Sequence, residues 1–427
     1  MKIVEREIKD TKGCDERRHV SCLTSPVVSR LTSHAPTPWP KVKLGEIADL
    51  DLGKMLDQKK NKGTPRHYLA NIDVRWGYFN LGNLKEMLFK DSELERYGLR
   101  YGDIVMCEGG EPGRCAIWKE QRLGVMYQKA LHRIRPHEGI DFRFLYYYFL
   151  LLGRKNGFAG LFTGSTIKHM PKDKLALVEI PLPPLPVQRR IADVLSAYDD
   201  LIENNRRRIA ILEETARLAY RKWFGGVEQS WVAKLGKVSD FFDVSIGRTP
   251  PRKNEECFST ESTDLKWLSI KDMRASRVFV LDTAEKLTKA GIEKTHIHVS
   301  PPGTIFLSFK LTVGEVVIAG DSMATNEAIA HFETNDRALR DYTYFYLSSF
   351  QYDKLGSTSA IARAINSDIV RKMDFVFPAR NVLERFGKDV APMFDQIENL
   401  TRQNVALATA RDMLLPRLMN NKLRKEA

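Results

Sequence analysis

Five cysteines (Cys14, Cys22, Cys107, Cys115 and Cys257) in 427 residues form no C-x-x-C pair. Neither a disulfide framework nor a thiolate zinc site is indicated, and a reducing cytoplasm suits such a chain. Long apolar runs are also missing. The most apolar stretch, Phe142 to Leu152, spans 11 residues and contains Arg143, well short of the roughly 20 needed to cross a bilayer. Residues 1–37 lack the apolar core of a secretory signal and read as a poorly ordered extension rich in charge, Ser and Thr. Acidic residues are in deficit, 54 against 67 Lys and Arg, for a net charge of +13. An excess of that size favours a polyanionic partner, most commonly nucleic acid.

The motifs of phosphate and cofactor chemistry are absent as well. The chain has no G-x-x-x-x-G-K-[ST] loop, no Asn/Asp-Pro-Pro-aromatic motif and no G-x-G-x-x-G after a strand. "CEGGEPG" (107–113) is glycine-rich, but Glu108 and Glu111 would repel phosphate, so it reads as a turn between strands. His296 and His298 lack a third ligand nearby and read as surface histidines on a strand, so no metal is expected. Hydrophobic content of 43% with 28% charged residues describes a globular protein long enough for two domains of about 150 residues.

What is present is a duplication. "KLGEIAD" (43–49) matches "KLGKVSD" (234–240), "YLANIDV" (68–74) faces "WLSIKDM" (267–273), and "GDIVMCEGGEPGRCAI" (102–117) faces "GTIFLSFKLTVGEVVI" (303–318). "FLYYYF" answers "YTYFYL", and "TGSTIKHMPKD" answers "GSTSAIARAINSD". Pro183, Val187, Arg190, Ile202, Glu203, Asn204 and Leu212 recur as Pro378, Val382, Arg385, Ile397, Glu398, Asn399 and Leu407, all at an offset of 195. The order is globular unit, helix, globular unit, helix. Boundaries fall at 38–182 and 183–226 for the first unit and its helix, then 227–377 and 378–427 for the second unit and for its helix with the C-terminal tail.

Both helices carry a seam with steps of three and four. In the first it runs Ile191, Leu195, Tyr198, Ile202, Asn205, Ile209 and Leu212; in the second, Phe386, Val390, Met393, Ile397, Leu400, Asn404 and Leu407. Each has one Asn, a device that commonly fixes coiled-coil register. The first helix leaves one unit and enters the other, so pairing requires the second to run back antiparallel. Pro183, Pro184 and Pro186 make a stiff start, and Pro416 predicts a kinked or frayed end to the second helix. From Val187 to Phe224 is 38 residues, roughly 57 Å. Read as a ruler, the helix sets two basic, diverged modules apart on an asymmetric bipartite target.

These residues resemble the DNA specificity subunits of Type I restriction-modification enzymes. The likeness covers nearly everything from Trp39 onward. It rests on the paired "LGEIAD" and "LGKVSD" starts, the "GDIV" and "PGTIF" strands, and "PLPPLPVQRRIADVLSAYDDLIE". The second copy departs from it, since "FPARNVLERFGKDV" has neither the double proline nor the Gln. The resemblance implies an α+β chain in which two tandem α/β target recognition domains are separated by two long helices forming an antiparallel coiled coil, with a pseudo-twofold internal repeat. It implies double-stranded DNA as partner, two methyltransferase subunits docked on the helices, and restriction subunits in the full complex. S-adenosylmethionine, ATP and Mg would sit on those partners, and this chain would be no enzyme. A scaffold without DNA and an autonomous repressor are the alternatives.

On a duplex, Lys and Arg supply phosphate contacts while amides and guanidinium groups read base edges. The candidates in the first unit are Lys59, Lys60, Lys62, Arg66 and Arg75 beside Trp76, then Gln128, Ser165, Thr166, Lys168 and His169. In the second they are Arg248, Arg252, Lys253, Asn326, Ser357, Thr358, Arg363 and Asn366. A solvated charge run is the other reading of the lysine loop. Tyr146, Tyr147, Tyr148 and Phe149 fall at helical spacing beside leucines and read as core.

Overall fold

The computed structural model describes residues 38–57, 59–164, 168–226, 231–310, 312–355 and 366–420. The extension 1–37 and the candidates Ser165, Thr166, Ser357, Thr358 and Arg363 lie outside the described residues. Four helices organise the chain: α1 (Phe142–Arg154), α2 (Leu185–Phe224), α3 (Arg337–Ser349) and α4 (Arg380–Met419).

The first unit is built on an antiparallel sheet in the order Ala48–Leu52, Leu131–Pro136, Ile104–Cys107, Cys115–Ile117. Its central strand "IVMC" is buried at every position because both faces are covered. Ile104 and Met106 join the core beneath α1, and Val105 and Cys107 a second cluster with Trp118 and Tyr127. The expected turn "CEGGEPG" joins two strands of this sheet, with Gly110 and Gly113 at positive φ.

The second unit repeats the order as Ser245–Ile246, Ile329–Phe332, Ile305–Ser308, Val316–Ala319, then adds Phe279–Val280. Each unit also has a smaller sheet with a parallel pair, Tyr68 and Leu69 on Met126 and Tyr127, and Lys266 to Leu268 on Met323 to Thr325. Each is closed by its own ends: Lys41–Lys43 pairs with Glu179–Pro181, and Val232–Lys237 with Asp374–Pro378.

The same cap starts α1 and α3. Asp141 accepts from the Arg143 and Phe144 amides at 2.9 and 3.2 Å, and Asp336 from those of Ala338 and Leu339 at 3.0 and 3.2 Å. Tyr146, Tyr147 and Phe149 on α1 are buried, as expected of core; Tyr148 is only half-buried, and its hydroxyl donates to Glu179 O at 3.0 Å.

The long helices pair antiparallel. Ile191 and Leu195 at the start of α2 share a core with Leu415 and Met419 at the end of α4, while Phe224 at the end of α2 meets Leu383 and Phe386 at the start of α4. Along the seam Ile202, Ile209, Val390, Ile397 and Leu400 are buried; Tyr198, Leu212, Met393 and Leu407 are half-buried. Asn205 is 6% exposed and donates to Gln403 at 3.4 Å, whereas the half-buried Asn404 leaves Oδ1 without a partner. The end of α4 is not frayed at Pro416: the helix continues to Met419 because Leu415 and Met419 are locked into the first unit's core. Pro392 also lies inside α4.

The ruler differs from expectation in one respect. The helices separate the units along the chain, but in space each unit lies alongside one half of the pair instead of beyond its end. The first unit grips α2 through Arg143 to Asp193 at 2.7 Å, Lys119 to Asp200 and Glu203 at 3.1 and 3.0 Å, and Tyr78 beneath Arg206. The second grips it through Arg277 to Glu213 at 2.9 Å and the rings around Tyr220 and Phe224. Those two footprints are centred about 20 residues apart, about 30 Å along the axis. Lys271 of the second unit even reaches Glu111 of the first at 3.4 Å. Among the described residues no helix is long and apolar enough to cross a membrane.

Candidate nucleic-acid interface

A glycine in each unit lets two backbone segments touch. The Gly53 amide donates to Leu131 O at 3.1 Å and the Gly247 amide to Ile329 O at 3.2 Å. A Cβ at Gly53 would overlap the carbonyl oxygens of Tyr127 and Gln128, and one at Gly247 would overlap Thr325 and Asn326. The next residues, Lys54 and Arg248, donate from their amides to Tyr127 O and Thr325 O at 3.1 and 2.9 Å, and Gln128 and Asn326 donate to Leu69 O and Leu268 O, each at 3.1 Å. Gln128 and Asn326 thus hold the same backbone position, both half-buried. Asn326 Oδ1 accepts from the Ala328 amide at 3.0 Å. The cations beside them are already engaged: buried Lys54 donates to Glu93 and to Leu88 O at 2.6 and 3.0 Å, and Arg248 to Thr295 O at 3.3 Å.

Beneath these amides the two units have diverged. His331 sits among three hydroxyls, Thr325 at 2.6 Å, Ser245 at 2.9 Å and Ser300 at 3.2 Å. Burial, with the nearby His298, pushes its pKa down to about 3. In the first unit Arg133 takes the corresponding strand position, donating to Asp51 at 2.6 Å and to Arg96 O at 2.8 Å, with its guanidinium 5.8 Å from the Tyr127 ring. One layer is neutral and the other ionic. Sequence reasoning passed over both residues; for His331 the available signal was a polar side chain within the otherwise apolar "IAHF", whereas Arg133 lies in "LHRIRP" beside two other basic residues.

The basic candidates divide by whether they already have partners. Lys59, Lys60 and Lys62 stand exposed on a loop turned by Asp57, whose carboxylate accepts from the Lys59 and Lys60 amides at 3.0 and 3.1 Å. Lys60 Nζ lies 3.7 Å from the same carboxylate. Lys168 and Lys253 are exposed too. Arg66 is half-buried with Nε unpartnered.

Arg75 folds back onto Ile72 O and Val74 O, and Trp76 lies across Gly153 of α1, where a Cβ would collide with its ring. Arg252 is held by Glu285 at 2.7 and 3.1 Å over the rings of Phe258 and Trp267, an ion pair that raises the arginine pKa and lowers that of the glutamate. His169 bonds Glu108 at 3.0 Å, tying its loop to the glycine turn. Asn366 caps the short helix Ser367–Arg371, accepting from the Ile369 amide at 2.9 Å.

The histidine pair is not on a strand. His296 ends a helix in the left-handed region, a conformation that terminates the turn, and His298 pairs with Glu333 at 2.6 Å. Among the described residues no cluster of three or more His, Cys, Asp or Glu is placed to hold a metal.

A family model described as the Type I restriction modification DNA specificity domain matches residues 36–214 and 232–403. The chain is similar to the Type I restriction enzyme MjaIX specificity subunit of Methanocaldococcus jannaschii, 25% identical over 435 residues covering 92% of this chain and 95% of that protein. It is also similar to the putative type I restriction enzyme MjaX specificity subunit of the same organism, 22% identical, covering 91% and 94% of the two chains. Among solved structures, the Type I restriction-modification system S subunit from M. genitalium aligns with a TM-score of 0.49 at 16% identity, over 91% of this chain and 98% of that one.

Proposed function

The chain belongs to the Type I restriction-modification DNA specificity family, and from that premise we propose that it is the subunit that selects DNA for such a complex, reading an asymmetric bipartite duplex target. The observation that carries the asymmetry is the shared backbone position held by Gln128 in one unit and Asn326 in the other, over an ionic layer in the first and a neutral one in the second. Amides of this kind pair with the edge of adenine in the major groove, and two side chains of different reach select different half-sites. Exposed Lys59, Lys60, Lys62, Lys168 and Lys253 supply phosphate contacts that carry affinity without sequence information.

The complex works in the cytoplasm. Two methyltransferase subunits dock on the helix pair and restriction subunits join them; those partners carry S-adenosylmethionine, ATP and Mg and perform the chemistry. The test is co-expression with the methyltransferase encoded beside it, in a host free of DNA methylation, followed by genome-wide mapping of modified adenines. A two-part asymmetric motif with a fixed gap is the expected result. An active assembly that leaves no such motif overturns the reading and favours a scaffold. Tight site-specific binding by the isolated chain would instead point to a repressor.

A further inference from the structure

The backbone bonds that fix Gln128 continue into a loop on which the two units differ in chemistry. Lys54 O accepts from the Lys129 amide at 2.9 Å, so the chain after Lys54 leaves beside Gln128 and Lys129. The residues that follow, Met55 and Leu56, are each 55% exposed. Asn61 closes the loop behind them, donating its side-chain amide to Met55 O at 3.1 Å and its main-chain amide to Asp57 O at 2.9 Å. Lys59, Lys60, Lys62 and Lys129 stand exposed around the pair. In the second unit the same place is shut. Counting from the matched glycines and amides, Met55 and Leu56 correspond to Thr249 and Pro250, and Lys129 to Glu327. Half-buried Thr249 donates its hydroxyl to the Glu327 carboxylate, and Pro250 is buried.

A single exposed apolar side chain is ordinary. Two in succession, with four lysines about them and a base-reading amide beside them, suit a surface that is anionic overall and apolar at points. The major groove of duplex DNA is such a surface, because the thymine C5-methyl lies on it between the phosphates. We propose that Met55 and Leu56 close on the methyl group of a thymine in the half-site read by the first unit. This rests on the reading of the chain as the subunit that selects DNA. An amide reaches adenine from the same groove that displays the thymine methyl, so one approach of the loop serves both contacts. Burial of that methyl is worth about fourfold in affinity. Cytosine, which has no methyl and presents an amino donor instead, forfeits it. The second unit, with Thr249 and Glu327 bonded to each other, makes no such contact.

The test uses the assembled complex on the two-part target that its methylation map defines. Each thymine is replaced in turn by deoxyuridine, which removes the methyl and leaves base pairing intact. The native complex should lose about fourfold in affinity at a thymine of one half-site, whereas a Met55→Ser, Leu56→Ser double variant should bind the two duplexes equally. Binding to non-target DNA should be the same for both proteins, since the lysines remain. The variant's own methylation map should show that half-site accepting cytosine for thymine and the other half-site unchanged. Native affinity unmoved by deoxyuridine at every position overturns the proposal without recourse to the variant. A penalty that persists in full in the variant overturns it too, since another residue then holds the methyl. Neither result touches the DNA reading, which fails separately, when no target motif is found, and takes this proposal with it.

Discussion

The Tyr147 hydroxyl donates to Asp199 at 2.7 Å, fastening α1 to α2, and Arg411 of α4 pairs with the other oxygen of the same carboxylate. At the offset of 195 the corresponding residues in the other half are Tyr342, Phe394 and Ala216; there Phe394 is buried in an apolar cluster and the Tyr342 hydroxyl donates to Val376 O at 2.7 Å. One end of the helix pair is ionic and the other greasy. Arg411 is 11% exposed and Asp199 23%, so removing one partner strands a charge away from water. Arg411→Ala is expected to cost about 2–4 kcal/mol, and Arg411→Ala with Asp199→Phe, which copies the other half, should recover most of it. Urea unfolding of the three proteins gives the comparison.

Two buried groups of the second unit give opposite responses to acid. His331 has its pKa lowered to about 3, so between pH 6.5 and 3 the unfolded chain takes a proton that the fold refuses and stability falls on acidification. Asp341 is raised to about 6 by burial, against the pull of Arg340 and Arg337, so between pH 6 and 3.8 the fold holds a proton and stability rises on acidification. The His331→Gln variant should therefore lose less stability than the parent, by about 1.4 kcal/mol per pH unit between pH 6 and 4. In Asp341→Asn the loss should be steeper than in the parent by a similar slope. Denaturant titrations at pH 4, 5 and 6 decide both.

Gly53→Ala and Gly247→Ala test the repeated close approach. Neither glycine has a positive φ, so the penalty is overlap: with the Tyr127 and Gln128 carbonyl oxygens at Gly53, and with the Thr325 hydroxyl as well as the Thr325 and Asn326 carbonyl oxygens at Gly247. Each variant should be destabilised by about 1–3 kcal/mol, and each should displace the amide that follows, Gln128 or Asn326. Thermal melts report the first effect. The second appears as a relaxed methylation motif confined to one half-site.

Replacing Lys59, Lys60 and Lys62 by alanine should weaken DNA binding by the assembled complex equally on target and non-target duplexes. The slope of log affinity against log salt should fall by about one for each of these lysines that neutralises a phosphate. A slope that does not move assigns those lysines to solvation.

The seats of the two units are keyed by charge. Following matching strands, Lys119 of the first unit meets acidic Asp200 and Glu203, whereas Asp321 of the second meets Arg402 at 3.3 Å. Lys119→Glu should loosen the first unit by about 1 kcal/mol, since Lys119 is 35% exposed. Glu203→Lys in the same chain should restore it. Amide exchange across residues 198–206 follows the change.

The duplication and the antiparallel pair were legible because each rests on local periodicity repeated at a fixed offset. Where the units sit was not. Seam positions report which face of a helix is buried, while the docking of a unit alongside it depends on Lys119, Arg277 and the ring of Tyr220, single residues without period. The candidate contacts suffered in the same way: Arg75 and Arg252 look as basic in sequence as Lys59, and it is Val74 O and Glu285 in space that remove them from the free surface. Arg133 and His331 stayed hidden because a strand periodicity marks them as inward-facing without saying what they meet there.

The first strand of each unit, Lys41–Lys43 or Val232–Lys237, is zipped to its last, so the chain enters and leaves each unit within one strand spacing, about 4.8 Å. A body joined to its support through adjacent entrance and exit behaves as a cassette. Whole-unit exchange is then expected to need a match at two places only, the paired strands at the neck and the side chains of the helix pair that enter the unit's core, such as Leu415 and Met419 in the first.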